Sequence, residues 1–203
     1  MLDKMSRYGF WGSIKMFWNL VKTKTLFPGA RLIRFPFDVR GKKYIKIGEG
    51  LTTGVGCRLE VYPQEVETKK TIIHVGKNVQ FNDYIHITAI ENVTIGDNVL
   101  MASKIYISDC THGSYAGNGL DSHPEELVAG RKLFSKPVFI EDNVWLGEFV
   151  SVLPGVCIGK NTIVGANSVV SKSLPPNVIA VGSPAKAIKQ FNFETKCWER
   201  VNN

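Results

Sequence analysis

The chain has 203 residues, 44% of them hydrophobic and 21% charged. That is an ordinary globular composition, which excludes a disordered, collagenous or heptad-rod protein and makes one domain with modest extensions the default. The net charge of +7 is unevenly placed: residues 1–46 carry eleven Lys and Arg against Asp3 and Asp38, whereas the other 157 residues carry 14 basic and 16 acidic side chains.

Residues 1–44 read as a basic, aromatic N-terminal extension. Phe10, Trp11, Ile14, Phe17, Trp18 and Val21 fall at helix spacing among Lys15, Lys22 and Lys24, a pattern that suits a helix lying on an anionic membrane or one packing its aromatic face on the end of a trimer. Apolar runs such as Met16 to Val21 fall short of the roughly 20 residues a transmembrane helix needs. Asn19 and the lysines break the apolar run and no small-residue cleavage site follows, so a secretory signal is not expected. A cytoplasmic protein is expected, with the inner face of the membrane as a place of work. No nucleic-acid-reading motif accompanies the basic arm.

From residue 45 a period of six takes over. Ile140, Leu146, Val152, Ile158, Val164 and Val170 each open a six without a gap. The same register runs upstream from Val75, Phe81 and Ile87 and, after a two-residue slip at Val93–Thr94, from Ile95, Met101 and Ile107. Glycine often holds the second place, which an amphipathic helix would not tolerate. Three sixes make one triangular turn, so the pattern predicts an all-β, left-handed parallel β-helix of about five turns over residues 45–190. Two stretches leave the register: a polar excursion over 62–72 and a Gly- and Pro-containing loop over 113–139, too long for an idle connection. Residues 191–203 read as a short C-terminal cap. Cys57, Cys110, Cys157 and Cys197 are far apart and form no C-x-x-C, which argues for free, buried thiols.

The ordered set Phe81-Asn82-Asp83, Ile95-Gly96-Asp97-Asn98-Val99-Leu100-Met101-Ala102, Asp109-Cys110-Thr111-His112-Gly113, Asn143-Val144-Trp145-Leu146-Gly147, Leu153-Pro154-Gly155-Val156, Gly165-Ala166-Asn167-Ser168 and Gly182-Ser183-Pro184-Ala185-Lys186 resembles the hexapeptide-repeat acyltransferases. The resemblance is to the maltose/galactoside O-acetyltransferase branch and its relatives that acetylate O-antigen, capsule and exopolysaccharide sugars. It implies acetyl transfer from acetyl-CoA to a sugar hydroxyl, with His112 as general base. A neutral imidazole suits that task, and His112 stands where the coil opens into the loop. His86 lies in uninterrupted coil and reads as a packing or surface residue. The resemblance makes Asn82 an acceptor-binding residue and Trp145 a wall of the acceptor or pantetheine channel. Gly147, Ala166, Ser171, Lys172 and Lys186 are the residues expected to bind acetyl-CoA, the two lysines as point charges for its phosphates. Counting sixes puts Asn82 and His112 at different corners of one prism, so a homotrimer with sites between chains is expected, as the resemblance also implies.

The family's maltose-type N-terminal segment has no counterpart in residues 1–44, so acceptor identity does not carry over. N-acetylation of an amino sugar, acylation of a small xenobiotic and a non-catalytic scaffold are the competing readings. A metal β-helix resembling the γ-carbonic anhydrases would need three imidazoles, which that family places with two of them separated by four residues in the region of His112; position 117 is Gly, so no metal is expected.

Overall fold

The computed structural model describes residues 2–63 and 70–201. After a helix over Leu2–Leu26 the chain winds into a three-sided coil of short, mostly parallel strands. Face a holds Phe37–Arg40, Cys57–Val61, His86–Ala89, Tyr106–Ser108, Ser151–Val152 and Val169–Val170. Face b holds Ile45–Ile47, Ile73–Val75, Val93–Ile95, Val138–Ile140 and Cys157–Ile158. Face c holds Gln80–Phe81, Leu100–Met101, Trp145–Leu146, Ile163–Val164 and Val178–Gly182.

The first residues of the sixes build the core. Ile140 pairs with Ile158, Leu146 with Val164 and Val152 with Val170, each pair 18 residues apart and at most 1% exposed. One rung earlier Ile95 pairs with Ile140, a separation of 45, so 27 residues beyond one turn are extruded between them. Upstream, Val75 pairs with Ile95, Phe81 with Met101 and Ile87 with Ile107, each 20 apart. The two extra residues are not at Val93–Thr94, as the repeat alone suggests. Those residues belong to a strand in register with Ile73 and His74, and the added length sits in the turn 90–92 between faces a and b.

Corner bc is built on asparagine. Asn78, Asn98, Asn143, Asn161 and Asn177 all take left-handed backbone conformations, which Asn tolerates better than other side chains. Their amides form a ladder along the coil, with Asn143 donating to Asn161 at 2.9 Å and Asn161 to Asn177 at 2.8 Å. At the same corner a Cβ on Gly96 would come within 2.8 Å of the Asp142 backbone nitrogen, so the second place of the six is small because the next turn lies against it.

The sequence boundaries move at both ends. Phe37–Arg40 pairs with Cys57–Val61, and Ala30 and Ile33 are buried in the core, so the coil begins within the segment set aside as an extension. At the other end the cap starts at Ala185. The strand Ala185–Asn192 turns back antiparallel on Val178–Gly182, and Cys197–Arg200 pairs with it in turn. This covers the edge that face c would otherwise present. Residues 64–69, most of the polar excursion expected over 62–72, lie outside the described residues.

All four cysteines are free, but only Cys57 is buried and Cys197 is exposed, which corrects the expectation of four buried thiols. Cys110 lies on the strand at the neck of the extruded loop, Cys157 at an outward-facing coil position paired with Phe139, and Cys197 on the last strand of the C-terminal cap. On face a His86 packs against Tyr106 and bonds Glu60 at 2.9 Å. Burial raises the Glu60 pKa, but the bond from His86 and the charges of Arg58 and Arg40 outweigh it and hold the carboxyl below its ordinary range.

Replacing Gly96 with Ala is expected to destabilise the protein by about 1–3 kcal/mol, because the backbone at Glu141 and Asp142, as well as the Asp142 carboxylate, must give way. Gly130→Ala, with nothing within 4 Å of the added carbon, should change stability by under about 0.5 kcal/mol. Urea unfolding of both variants checks the contrast.

Candidate active site

The extruded segment leaves the coil at corner ab, after Tyr106–Ser108. The strand Cys110–His112 pairs antiparallel with Leu133–Ser135, so the loop has a two-stranded neck. Below the neck the Asp109 carboxylate, fully buried, accepts hydrogen bonds from the backbone N–H groups of Ile90 at 3.0 Å, Glu91 at 2.8 Å and Asn92 at 2.7 Å. These are the N–H groups of the turn that the two-residue slip widened. The wider turn points three donors inward, and one carboxylate from the next rung satisfies them.

Within the loop, Gly113 has φ +94°, and a Cβ there would come within 2.6 Å of the Tyr115 hydroxyl. Tyr115 donates that hydroxyl to the His112 carbonyl, and Arg131 donates to the same hydroxyl at 2.8 Å. The Arg131 guanidinium also reaches the carbonyls of His123, Pro124 and Glu126 at 3.2, 2.9 and 3.0 Å. Arg131 thus ties the far side of the loop to the backbone of His112. Sequence reading missed both Arg131 and the role of Asp109. Nothing in the sequence separates Arg131 from Lys132 and Lys136 of the same loop, whereas the register slip was the available signal for Asp109.

The His112 side chain is exposed and makes no hydrogen bond or ion pair among the described residues. A cavity of about 410 Å³ lies beside the neck, lined by Thr111, Tyr115, Phe134, Lys136, Pro154 and Ser171 among others. His112 is not among its lining residues. Neighbouring side chains of a strand point to opposite sides, so Thr111 faces the cavity and His112 faces away. Ser171, with exposed Lys172 beside it, is on the same corner as the cavity.

The other predicted residues lie elsewhere. Asn82 is exposed at corner ca, where face c turns into face a. Two rungs further, Gly147 is buried at that corner, and a Cβ on it would come within 2.7 Å of the Ala166 nitrogen. The coil itself therefore requires Gly147 to be glycine, whereas Ala166 is exposed. Trp145, 47% exposed, stands on face c in register with Leu100 and Ile163. The extruded loop leaves from the corner opposite face c. Lys186 is exposed at the same end of face c, paired with Val181. The expected site residues thus fall into two groups on either side of face a, with His112, Ser171 and Lys172 at corner ab and Asn82, Trp145, Ala166 and Lys186 towards corner ca. Among the described residues no group of His, Cys, Asp and Glu could hold a metal ion.

Comparison with known proteins gives this arrangement a context. Residues 137–172 match the family described as bacterial transferase hexapeptide (six repeats). The chain is 44% identical over 201 residues to the "Putative lipopolysaccharide biosynthesis O-acetyl transferase WbbJ" of Escherichia coli, covering 99% of this chain and 100% of that one. It is 39% identical over 124 residues to the galactoside O-acetyltransferase of the same organism, covering 61% of this chain and 57% of the relative. Among solved structures, a galactoside acetyltransferase in complex with coenzyme A aligns with a TM-score of 0.50 and 32% identity, over 75% of this chain and 74% of that one. A mutant of AntD, an N-acyltransferase from Bacillus cereus, aligns with a TM-score of 0.64 at 21% identity, over 82% and 83%, a likeness of fold alone.

Asp109→Ala would leave the N–H groups of buried Ile90 and half-buried Glu91 and Asn92 without their acceptor, and a loss of about 2–4 kcal/mol is expected. Limited proteolysis should then cut within 113–132 faster than in the parent chain, and Asp109→Asn, which keeps an acceptor oxygen, should restore part of both properties.

Proposed function

Because the chain belongs to the hexapeptide-repeat transferase family, we propose that it is an acetyl-CoA-dependent O-acetyltransferase acting on a sugar hydroxyl of a cell-surface polysaccharide or its precursor. The observation that carries this reading is the full-length likeness to a lipopolysaccharide O-acetyl transferase, in a chain whose exposed His112 stands on a braced loop neck. His112 takes the proton of the sugar hydroxyl as its oxygen attacks the thioester carbonyl. The new carbon–oxygen bond forms, the carbon–sulfur bond breaks, and His112 returns the proton to the departing thiolate of coenzyme A.

The protein works as a homotrimer. Corner ca of one copy, with Asn82, Trp145 and Ala166, meets corner ab of the next, with His112 and the cavity under its loop. Face a then looks towards the three-fold axis, and neither half-site is complete within one chain. Asn82 holds the acceptor and Trp145 walls the channel. Ala166 lets the pantetheine arm lie close to the coil, while Ser171, Lys172 and Lys186 take the nucleotide end of acetyl-CoA, where the lysines meet its phosphates. Lys136 adds a cation to the cavity on the His112 side. The acceptor is a precursor handled at the inner face of the cytoplasmic membrane.

His112→Ala is expected to lower acetyl transfer by roughly 10² to 10⁴ with folding and acetyl-CoA binding retained. A panel of nucleotide-linked and lipid-linked sugars with labelled acetyl-CoA provides the assay, and full activity in the variant would sink the reading. Co-refolding equal amounts of Asn82→Ala and His112→Ala chains should recover about a quarter of the parent activity, since each mixed ring of three contains one intact pairing. Two inactive parents that give no active mixture would count against shared sites.

A further inference from the structure

A helix that packs on a domain normally hides its apolar stripe. The N-terminal helix does the reverse. Its side towards the coil carries Asn19 and Thr23, 6% and 0% exposed. The Thr23 hydroxyl donates to the Asn19 carbonyl and accepts the backbone N–H of Ile33 at 2.8 Å, and the Asn19 side-chain oxygen accepts that of Phe35 at 3.4 Å. Trp11 is 79% exposed, Phe10 61%, Phe17 60% and Trp18 56%. Their ring contacts within the helix, Phe10 on Trp11 and Phe17 on Trp18, are local and leave the stripe uncovered. The helix breaks at Gly9, with φ +65°, so the stripe starts at the first residue past the kink.

At 3.6 residues per turn, Phe10, Trp11, Ile14, Phe17, Trp18 and Val21 span an arc of about 120°, roughly opposite Asn19 and Thr23. Lys15 and Lys22 flank that arc on one side and Lys24 on the other. We infer that this helix is an interfacial anchor that lies flat on an anionic lipid surface, with the aromatic stripe at the boundary of headgroups and acyl chains and the three lysines on lipid phosphates. Three observations select this occupant. The polar contacts to Ile33 and Phe35 fix the helix with its aromatic stripe turned away from the coil, so the coil does not cover it. Another copy of the chain would bring the same strongly basic extension against this one, a juxtaposition of like charge, whereas an anionic bilayer complements it. No helix among the described residues is long and apolar enough to cross a membrane, and bulky aromatic rings on one side with lysines at the flanks are the pattern of a helix in the interface plane. The inference stands on this surface and is independent of the acetyl transfer proposed above.

The full chain is sedimented with vesicles of phosphatidylcholine alone and of phosphatidylcholine mixed with phosphatidylglycerol. Binding to the mixed vesicles should exceed binding to the neutral ones by roughly 100-fold, at about five-fold for each of three lysines near the surface, and added salt should release it. A chain with Phe10→Gln, Trp11→Gln, Phe17→Gln and Trp18→Gln together leaves Asn19 and Thr23 in place. It should lose vesicle binding while keeping its particle size in light scattering and its activity on a soluble acceptor. Replacing Lys15, Lys22 and Lys24 with Gln should abolish the preference for anionic vesicles. The inference is overturned if the parent chain stays in the supernatant with both vesicles, if it binds both equally, or if the aromatic variant changes particle size, which would assign the stripe to another copy of the chain.

Discussion

Everything in this protein hangs on one column of contacts, the aliphatic side chains that open each six and stack on their equivalents in the turns before and after. Ile95, Ile140 and Ile158 form one such file, Met101, Leu146 and Val164 the second, and Ile107, Val152 and Val170 the third. Each is essentially inaccessible, and full burial of such a side chain contributes about 1.5–3 kcal/mol. Because a strand of two residues cannot hold its place by backbone pairing alone, the file of side chains sets the register and the corners follow. Small residues and left-handed asparagines occupy the corners because the next turn is in contact there.

A rigid coil gives a functional group nowhere to go unless the chain leaves it, and among the described residues the longest such departure is at corner ab. The coil pins the exit. The turn 90–92 offers three N–H groups, Asp109 accepts them, and the adjoining neck carries His112 on its last residue. Above the neck, Arg131 gathers three carbonyls and, through the Tyr115 hydroxyl, the carbonyl of His112 itself. The imidazole is therefore displayed from a braced backbone, while its ring has no hydrogen bond or ion pair among the described residues. That suits a group meant to meet a substrate held by another surface.

On the proposed function, the two groups of site residues and the N-terminal helix share one logic, since each is completed by a surface outside the chain. His112 is not among the residues that line the cavity beside it, Trp145 stands on the face opposite the corner where the loop leaves, and the helix turns its aromatic stripe away from the coil it is bonded to. Geometry of this kind directs attention to neighbours, another prism in the first two cases and a charged surface in the third.

The period of six was legible from the order of residues because each position in a β-coil has a fixed inside or outside sense that does not depend on distant contacts. Ile140 to Val170, the loop between Ile107 and Ile140, and the place of His112 at its mouth could all be counted off the chain. Residue identity in a repeated motif also marked Asn82, Trp145, Ala166 and the lysines as a set, though not which of them lie together. That needed the coil, since corners are shared by residues many positions apart. Asp109 looked like one more motif residue until the turn from the previous rung was seen around it. Arg131 acquires its role only where the loop closes on its guanidinium. The helix read as amphipathic in either direction, because spacing shows that one side is apolar but not which side the coil takes. Tertiary structure decided that through Asn19 and Thr23, two side chains able to satisfy the backbone of Ile33 and Phe35 where an apolar contact would have left those N–H groups without partners.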